Sequence, residues 1–96
     1  MIRHIVLLKF KSDVSQAQID EVLSFAQRLP TAIPEIRALA AGKNFTPRDD
    51  TFSHAIVDDF QSVEDLNKYS AHPVHLELVS LLRPLIEKLN FVDFEY

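Results

Sequence analysis

The sequence predicts an α+β domain in which four antiparallel strands carry helices on one face, in the order βαββαβ. Three observations predict it. Runs rich in branched apolar residues, Ile2 to Phe10 and Phe52 to Phe60, read as strands. Ser15 and Ser62 each open a capping pattern, and apolar residues at helical spacing follow Ser15. No repeat, linker or low-complexity stretch divides the chain, so residues 1–96 are expected to form a single domain.

Each element has its own signal. After the first strand, Ser15-Gln-Ala-Gln18 is a capping box, and Ile19, Val22, Leu23, Ala26 and Leu29 mark one helical face. Pro30 and Pro34 are expected to end that helix. Ile36 to Phe45 reads as the second strand, and Thr46 to Asp50 as a turn. The third strand is Phe52 to Phe60. Ser62-Val-Glu-Asp65 caps a short helix reaching about Ser70. Pro73 forces its predecessor out of the α region and suits a first helical turn, so a new helix opens there. Pro84 should kink that helix or start a separate turn. Phe91 to Tyr96 is the last strand. The whole is a ferredoxin-like sandwich.

Alternation along the strands exposes a difficulty. The first strand places His4, Val6, Leu8 and Phe10 on one side, and Ile5 and Leu7 on the other. The last strand places Phe91 on one side, and Val92, Phe94 and Tyr96 on the other. Helices can cover only one face, yet both faces are apolar. Uncovered apolar area costs about 25 cal/mol per Å². A homodimer through face-to-face sheets, closing a dimeric α+β barrel, is therefore expected.

Composition excludes several function classes. The single glycine, Gly42, leaves no glycine-rich phosphate cradle. The net charge of −4 and the absence of a basic stripe argue against nucleic acid. No apolar run has the length of a membrane span, and the opening residues lack a cleavage signal. With no cysteine there is no thiolate nucleophile or thiolate metal site, which fits a reducing, cytoplasmic setting. No cofactor is expected.

The chemical lead is Tyr69-Ser-Ala-His72-Pro73-Val-His75. His72 falls near the N-cap of the new helix and His75 in its first turn. The positive end of the helix dipole disfavours an imidazolium, so His75 should stay neutral and able to accept a proton. His75 and Tyr69 then form a candidate catalytic pair, a base and an oxygen-orienting donor. The plain alternative is that His75 satisfies a backbone group and Tyr69 packs its ring on the sheet. His4 and His54 lie on the side of Val6 and Ile56. Under the helices they would join His72 and His75 at one cavity as substrate-binding residues; otherwise they are interface or core histidines. The break at Pro73 spoils a metal pair of His72 and His75, and no third ligand is well spaced, so no metal is expected. Asp58 and Asp59 point to opposite faces, which rules out a carboxylate dyad and leaves at least one in water. Asp49 and Asp50 read as turn residues, and the sequon at Asn44 carries no weight without a secretion signal.

The chain resembles the stress-responsive dimeric A/B-barrel family from end to end. The resemblance lies in His4-Ile-Val-Leu-Leu-Lys-Phe-Lys11, Gly42-Lys-Asn-Phe-Thr-Pro47, Ser53-His54, Phe60-Gln-Ser-Val-Glu-Asp-Leu66 and Tyr69-Ser-Ala-His72-Pro73-Val-His75. It implies sheet-to-sheet dimers and a pocket between sheet and helices. Some plant members are polyketide cyclases that close a ring by aldol chemistry without a cofactor. By that resemblance His75 matches the general base, Tyr69 its orienting partner and His4 a pocket-lining polar group. Those cyclases carry a second tyrosine on the first helix, where this chain has Ala26. The resemblance thus implies a cyclase or lyase for a small apolar carbonyl compound. The alternative is a non-catalytic dimeric module associated with stress.

Overall fold

A computed structural model describes residues 1–46 and 51–96. The elements are β1 (Ile2–Phe10), α1 (Gln16–Ala32), β2 (Ala38–Lys43), β3 (His54–Phe60), α2 (Val63–Ala71), α3 (Pro73–Leu82), a 3₁₀ turn (Arg83–Leu85) and β4 (Ile86–Glu95). The four strands form one antiparallel sheet in the order β2-β3-β1-β4. This is the ferredoxin-like arrangement.

The helix starts follow the sequence closely. The Ser15 side chain accepts from Gln18 N while Gln18 returns a bond to Ser15 N, completing the capping box. Ser62 accepts from Asp65 N at the start of α2. Pro84 produces the expected separate turn.

Four boundaries differ from expectation. Pro30 lies inside α1, which continues to Ala32; a proline this near the C-terminal end removes one hydrogen bond without breaking the helix. β2 is shorter than Ile36 to Phe45, because Ile36 N bonds back to Ile33 O in a turn and Phe45 stands 97% exposed. β3 begins at His54, two residues later than predicted, although Ser53 N still bonds Leu8 O. β4 begins at Ile86, five residues before Phe91, and pairs along the whole of β1. It is an edge strand with nearly all residues exposed, so burial imposes no apolar alternation that could announce it. Pro47, Arg48, Asp49 and Asp50, which hold most of the expected turn, lie outside the described residues.

Register fixes which residues share a face. His4 pairs with Asp58 on one side and Asp93 on the other; Ile5 pairs with Val57 and Val92. The His4 face lies under the helices. Ile2, Val6, Leu8, Phe10, Ile56 and Phe60 are buried there against Val22, Ala26 and Leu29 of α1 and Leu78 and Leu82 of α3. The opposite face, with Ile5, Leu7, Val57, Val92 and Phe94, has no helix over it among the described residues, and Val92 and Phe94 remain 48% and 42% exposed.

Candidate active site

β1, β4, α2 and α3 hold the site between sheet and helices. Tyr69 is in the last turns of α2 and is almost fully buried. Its ring lies 5.0 Å from that of Phe60, 4.3 Å from that of His75 and 6.0 Å from that of His4. His4 also stacks on Phe91 of β4, with ring centres 5.9 Å apart. His75, Tyr69 and His4 line one cavity of about 340 Å³, whose remaining wall is largely apolar and includes Val6, Ile56, Leu78, Leu82 and Leu89. A cavity of this size, apolar with a few convergent polar groups, has the dimensions of a small-molecule site.

The hydrogen bonds set the imidazole tautomers. His75 Nδ1 lies 3.1 Å from Ser70 O. A carbonyl only accepts, so Nδ1 donates and a neutral His75 has its lone pair at Nε2. His4 Nδ1 bonds the carboxylate of Asp93 and donates in the same way, leaving Nε2 as its acceptor. Burial pushes the His75 pKa below the ordinary histidine value; the Ser70 carbonyl opposes this, and His4 and His72 reinforce it. The direction agrees with the helix-dipole expectation, but burial is the leading cause. Burial also raises the Tyr69 phenol well above the usual tyrosine range, helped by the adjacent Asp58. Tyr69 is therefore a donor throughout the physiological pH range.

Two of the histidines named from the sequence lie elsewhere. His72 is both C-cap of α2 and N-cap of α3, and its Nδ1 accepts from Val74 N at 3.1 Å. It is absent from the cavity lining. His54 shares the helix-facing side of the sheet but sits farther along β3. It packs edge-on to Phe10, bonds Ser53 Oγ at 2.9 Å and borders a different, shallower hollow of about 530 Å³ beside β2. Of the four histidines expected at one cavity, only His4 and His75 line it. Ala26 is fully buried in the core. Among the described residues no group of three or more metal-binding side chains comes together.

Two residues of the site were missed in the sequence. Asp93 follows from register once β1 and β4 are paired, since it shares the Phe91 face opposite His4. Asp58 was the greater omission. The sequence placed at least one of Asp58 and Asp59 in water, and the structure corrects this. Asp59 is clasped by Arg3, whose Nε and Nη2 donate to its two oxygens at 2.9 Å each, and by the Tyr96 hydroxyl at 2.9 Å. Asp58 is wholly inaccessible on the opposite face. Neither of its oxygens has a partner in hydrogen-bonding geometry among the described residues, although the Tyr69 hydroxyl is near enough for each group to influence the other's ionisation. Burial pushes the Asp58 pKa up to about 6.

Fold and site together define a ferredoxin-like domain with a cavity enclosed between its sheet and its helices. The chain belongs to the stress responsive A/B barrel domain family, whose model matches residues 2–96. It is 30% identical over 95 residues to olivetolic acid cyclase of Cannabis sativa, covering 97% of this chain and 94% of the cyclase. Among solved structures it is similar to the hydroxynitrile lyase of Passiflora edulis, with 32% identity, a TM-score of 0.90 and coverage of 97% and 90%. It is also similar to a dimeric ferredoxin-like protein from Thermobifida fusca, with 27% identity, a TM-score of 0.89 and coverage of 99% and 90%. No helix among the described residues is long and apolar enough to cross a membrane.

Proposed function

We propose that this protein is a cofactor-independent cyclase or lyase acting on a small apolar carbonyl compound, and that it works as a homodimer joined through its open sheet faces in the cytoplasm. The observation that carries the reading is the pairing of His75 and Tyr69 at the wall of an apolar cavity. Nε2 of His75 takes a proton from the carbon next to the ligand carbonyl. The Tyr69 hydroxyl donates to the oxygen on which negative charge develops. His4, held by Asp93, accepts a ligand hydroxyl. The apolar wall excludes water and strengthens these interactions. Aldol closure needs this base and this donor; release of a small group from a carbonyl adduct uses the same base differently, to take the adduct's hydroxyl proton as the carbonyl forms and the group leaves with its bonding electrons. The reading is in keeping with the names of two similar proteins, a cyclase and a hydroxynitrile lyase.

The dimer is supported by the uncovered apolar face and by the dimeric structural neighbour. The activity is tested with a panel of aromatic aldehydes and ketones offered to wild type and His75→Ala. Binding or turnover by wild type that falls at least about tenfold in the variant is expected, as for loss of a general base or its hydrogen bond. Equal behaviour of the two proteins toward every compound rejects the role of His75.

A further inference from the structure

The chemistry above leaves one buried titratable group unused. Asp58 lies on β3 beside two residues that line the cavity, its register partner His4 and Ile56 on its own strand, and is fully enclosed, with no cation and no N–H donor on either oxygen among the described residues. A buried carboxyl in that state weakens a fold. Its neighbour in sequence shows the contrast, since Asp59 receives a bidentate guanidinium and a phenol. Packing does not account for a carboxyl at position 58, because an apolar side chain would fill the space without the penalty.

What lies over Asp58 is Tyr69, whose ring packs on Phe60, two residues along the same face of β3, and on His4, the register partner of Asp58; each of the two groups influences the other's ionisation. The Tyr69 hydroxyl carries one proton and has two places to put it: the carboxylate below, or an acceptor in the cavity that Tyr69 lines. An ionised Asp58 can only accept, so it competes with a ligand for the proton. A protonated Asp58 can donate to the phenolic oxygen, which releases the Tyr69 proton and strengthens it as a donor. We propose that Asp58 is a positioning residue for Tyr69, turning its hydroxyl toward the sheet when ionised and freeing it for a carbonyl ligand when protonated. The second half of this rests on the reading of the cavity as a carbonyl site.

The titratable groups that act on Asp58 are His4 from β1, Tyr69 from α2, Asp93 from β4 and Asp59 from its own strand. From β2 its register partner is the apolar Leu39. Burial and the two aspartates favour the neutral form, while His4 and Tyr69 favour the ion.

The test follows the Tyr69 ring carbon Cζ by NMR from pH 4 to 9 in wild type, Asp58→Asn and Asp58→Val, with Tyr96 as the internal comparison. Wild type should show a step at Tyr69 with a midpoint of about 6, and both variants should lose it. A step arising from His75, whose ring lies against that of Tyr69, persists in all three proteins and so separates from it. In parallel, the affinities of acetophenone and of ethylbenzene, which lacks the carbonyl, are measured at pH 5 and pH 8. Wild type should bind acetophenone about tenfold more tightly at the lower pH, the worth of one hydrogen bond. The variants should lose that preference, and ethylbenzene should show none in any protein. Retention of the whole wild-type step at Tyr69 in both variants, with no component lost, overturns the positioning role, whatever the ligands do. A Tyr69 step that behaves as expected, with acetophenone bound no better than ethylbenzene at either pH, upholds the positioning of Tyr69 and overturns its delivery to a carbonyl.

Discussion

The two faces of the sheet solve opposite problems. The helix-facing side is covered, and yet it holds His4, His54 and Asp58 among its apolar residues. The open side has no cover, and yet its centre is Ile5, Leu7, Val57 and Val92. Asp58 and Asp59 condense the contrast into two adjacent residues. On the open side Asp59 is fully partnered, and the Arg3 guanidinium holds its pKa below the usual carboxylate range. On the covered side neither oxygen of Asp58 is hydrogen-bonded among the described residues, and burial raises its pKa to about 6. A side chain's chemistry here is set less by its type than by which way the pleat turns it. Polar groups that the fold satisfies serve structure; those it leaves buried and unsatisfied point to chemistry.

The comparison can be broken at several points. The largest effect is expected from Ile5→Asp, which puts a charge at the middle of the open face in each copy. Wild type should sediment as a dimer and the variant as a monomer, with about 4 kcal/mol or more of association energy lost. A wild type that sediments as a stable single subunit at micromolar concentration removes the need for any cover on that face.

Asp58→Asn comes next and should stabilise the protein. A carboxyl raised from 3.8 to about 6 on folding makes the folded state bind the proton more tightly than the unfolded state. Its contribution is therefore favourable below the unfolded pKa and is lost as pH rises through about 6. At pH 8 the Asn variant should gain up to about 3 kcal/mol in urea unfolding, a gain that shrinks to nearly nothing by pH 4.

Asp59→Asn should do the reverse, and less strongly. Its carboxyl is depressed on folding, so it contributes above the unfolded carboxylate pKa and loses that contribution as pH falls through the lower folded value. The variant should be less stable than wild type at pH 7 and converge with it in acid. Melting temperatures across pH for the two Asn variants should thus deviate from wild type with opposite signs. The smallest effect belongs to His72→Ala, which removes a cap rather than a cavity group and should cost about 1 kcal/mol of stability.

Much of the fold was legible because it rests on local chemistry. Ser15 and Ser62 cap, Pro73 begins a helix and Pro84 starts a separate turn, each as its neighbours in sequence indicate, whereas Pro30 is accommodated near the end of α1. The pairing of Tyr69 with His75 was legible too, since the helix break at His72 brings together two residues six apart. β4 was read short because an exposed edge strand is not constrained by burial. Asp93 needed the β1–β4 register before it could meet His4.

The sequence by itself determined the element order, the apolar character of both sheet faces, and the tyrosine and histidine on either side of the break between α2 and α3. Tertiary structure alone decided which face the helices cover, and through that choice which of two adjacent aspartates is clasped and which is orphaned. The reason is that alternation assigns residues to opposite sides but does not say which side is inside. Desolvation, which sets the protonation of His75, Tyr69 and Asp58, exists only after that choice has been made.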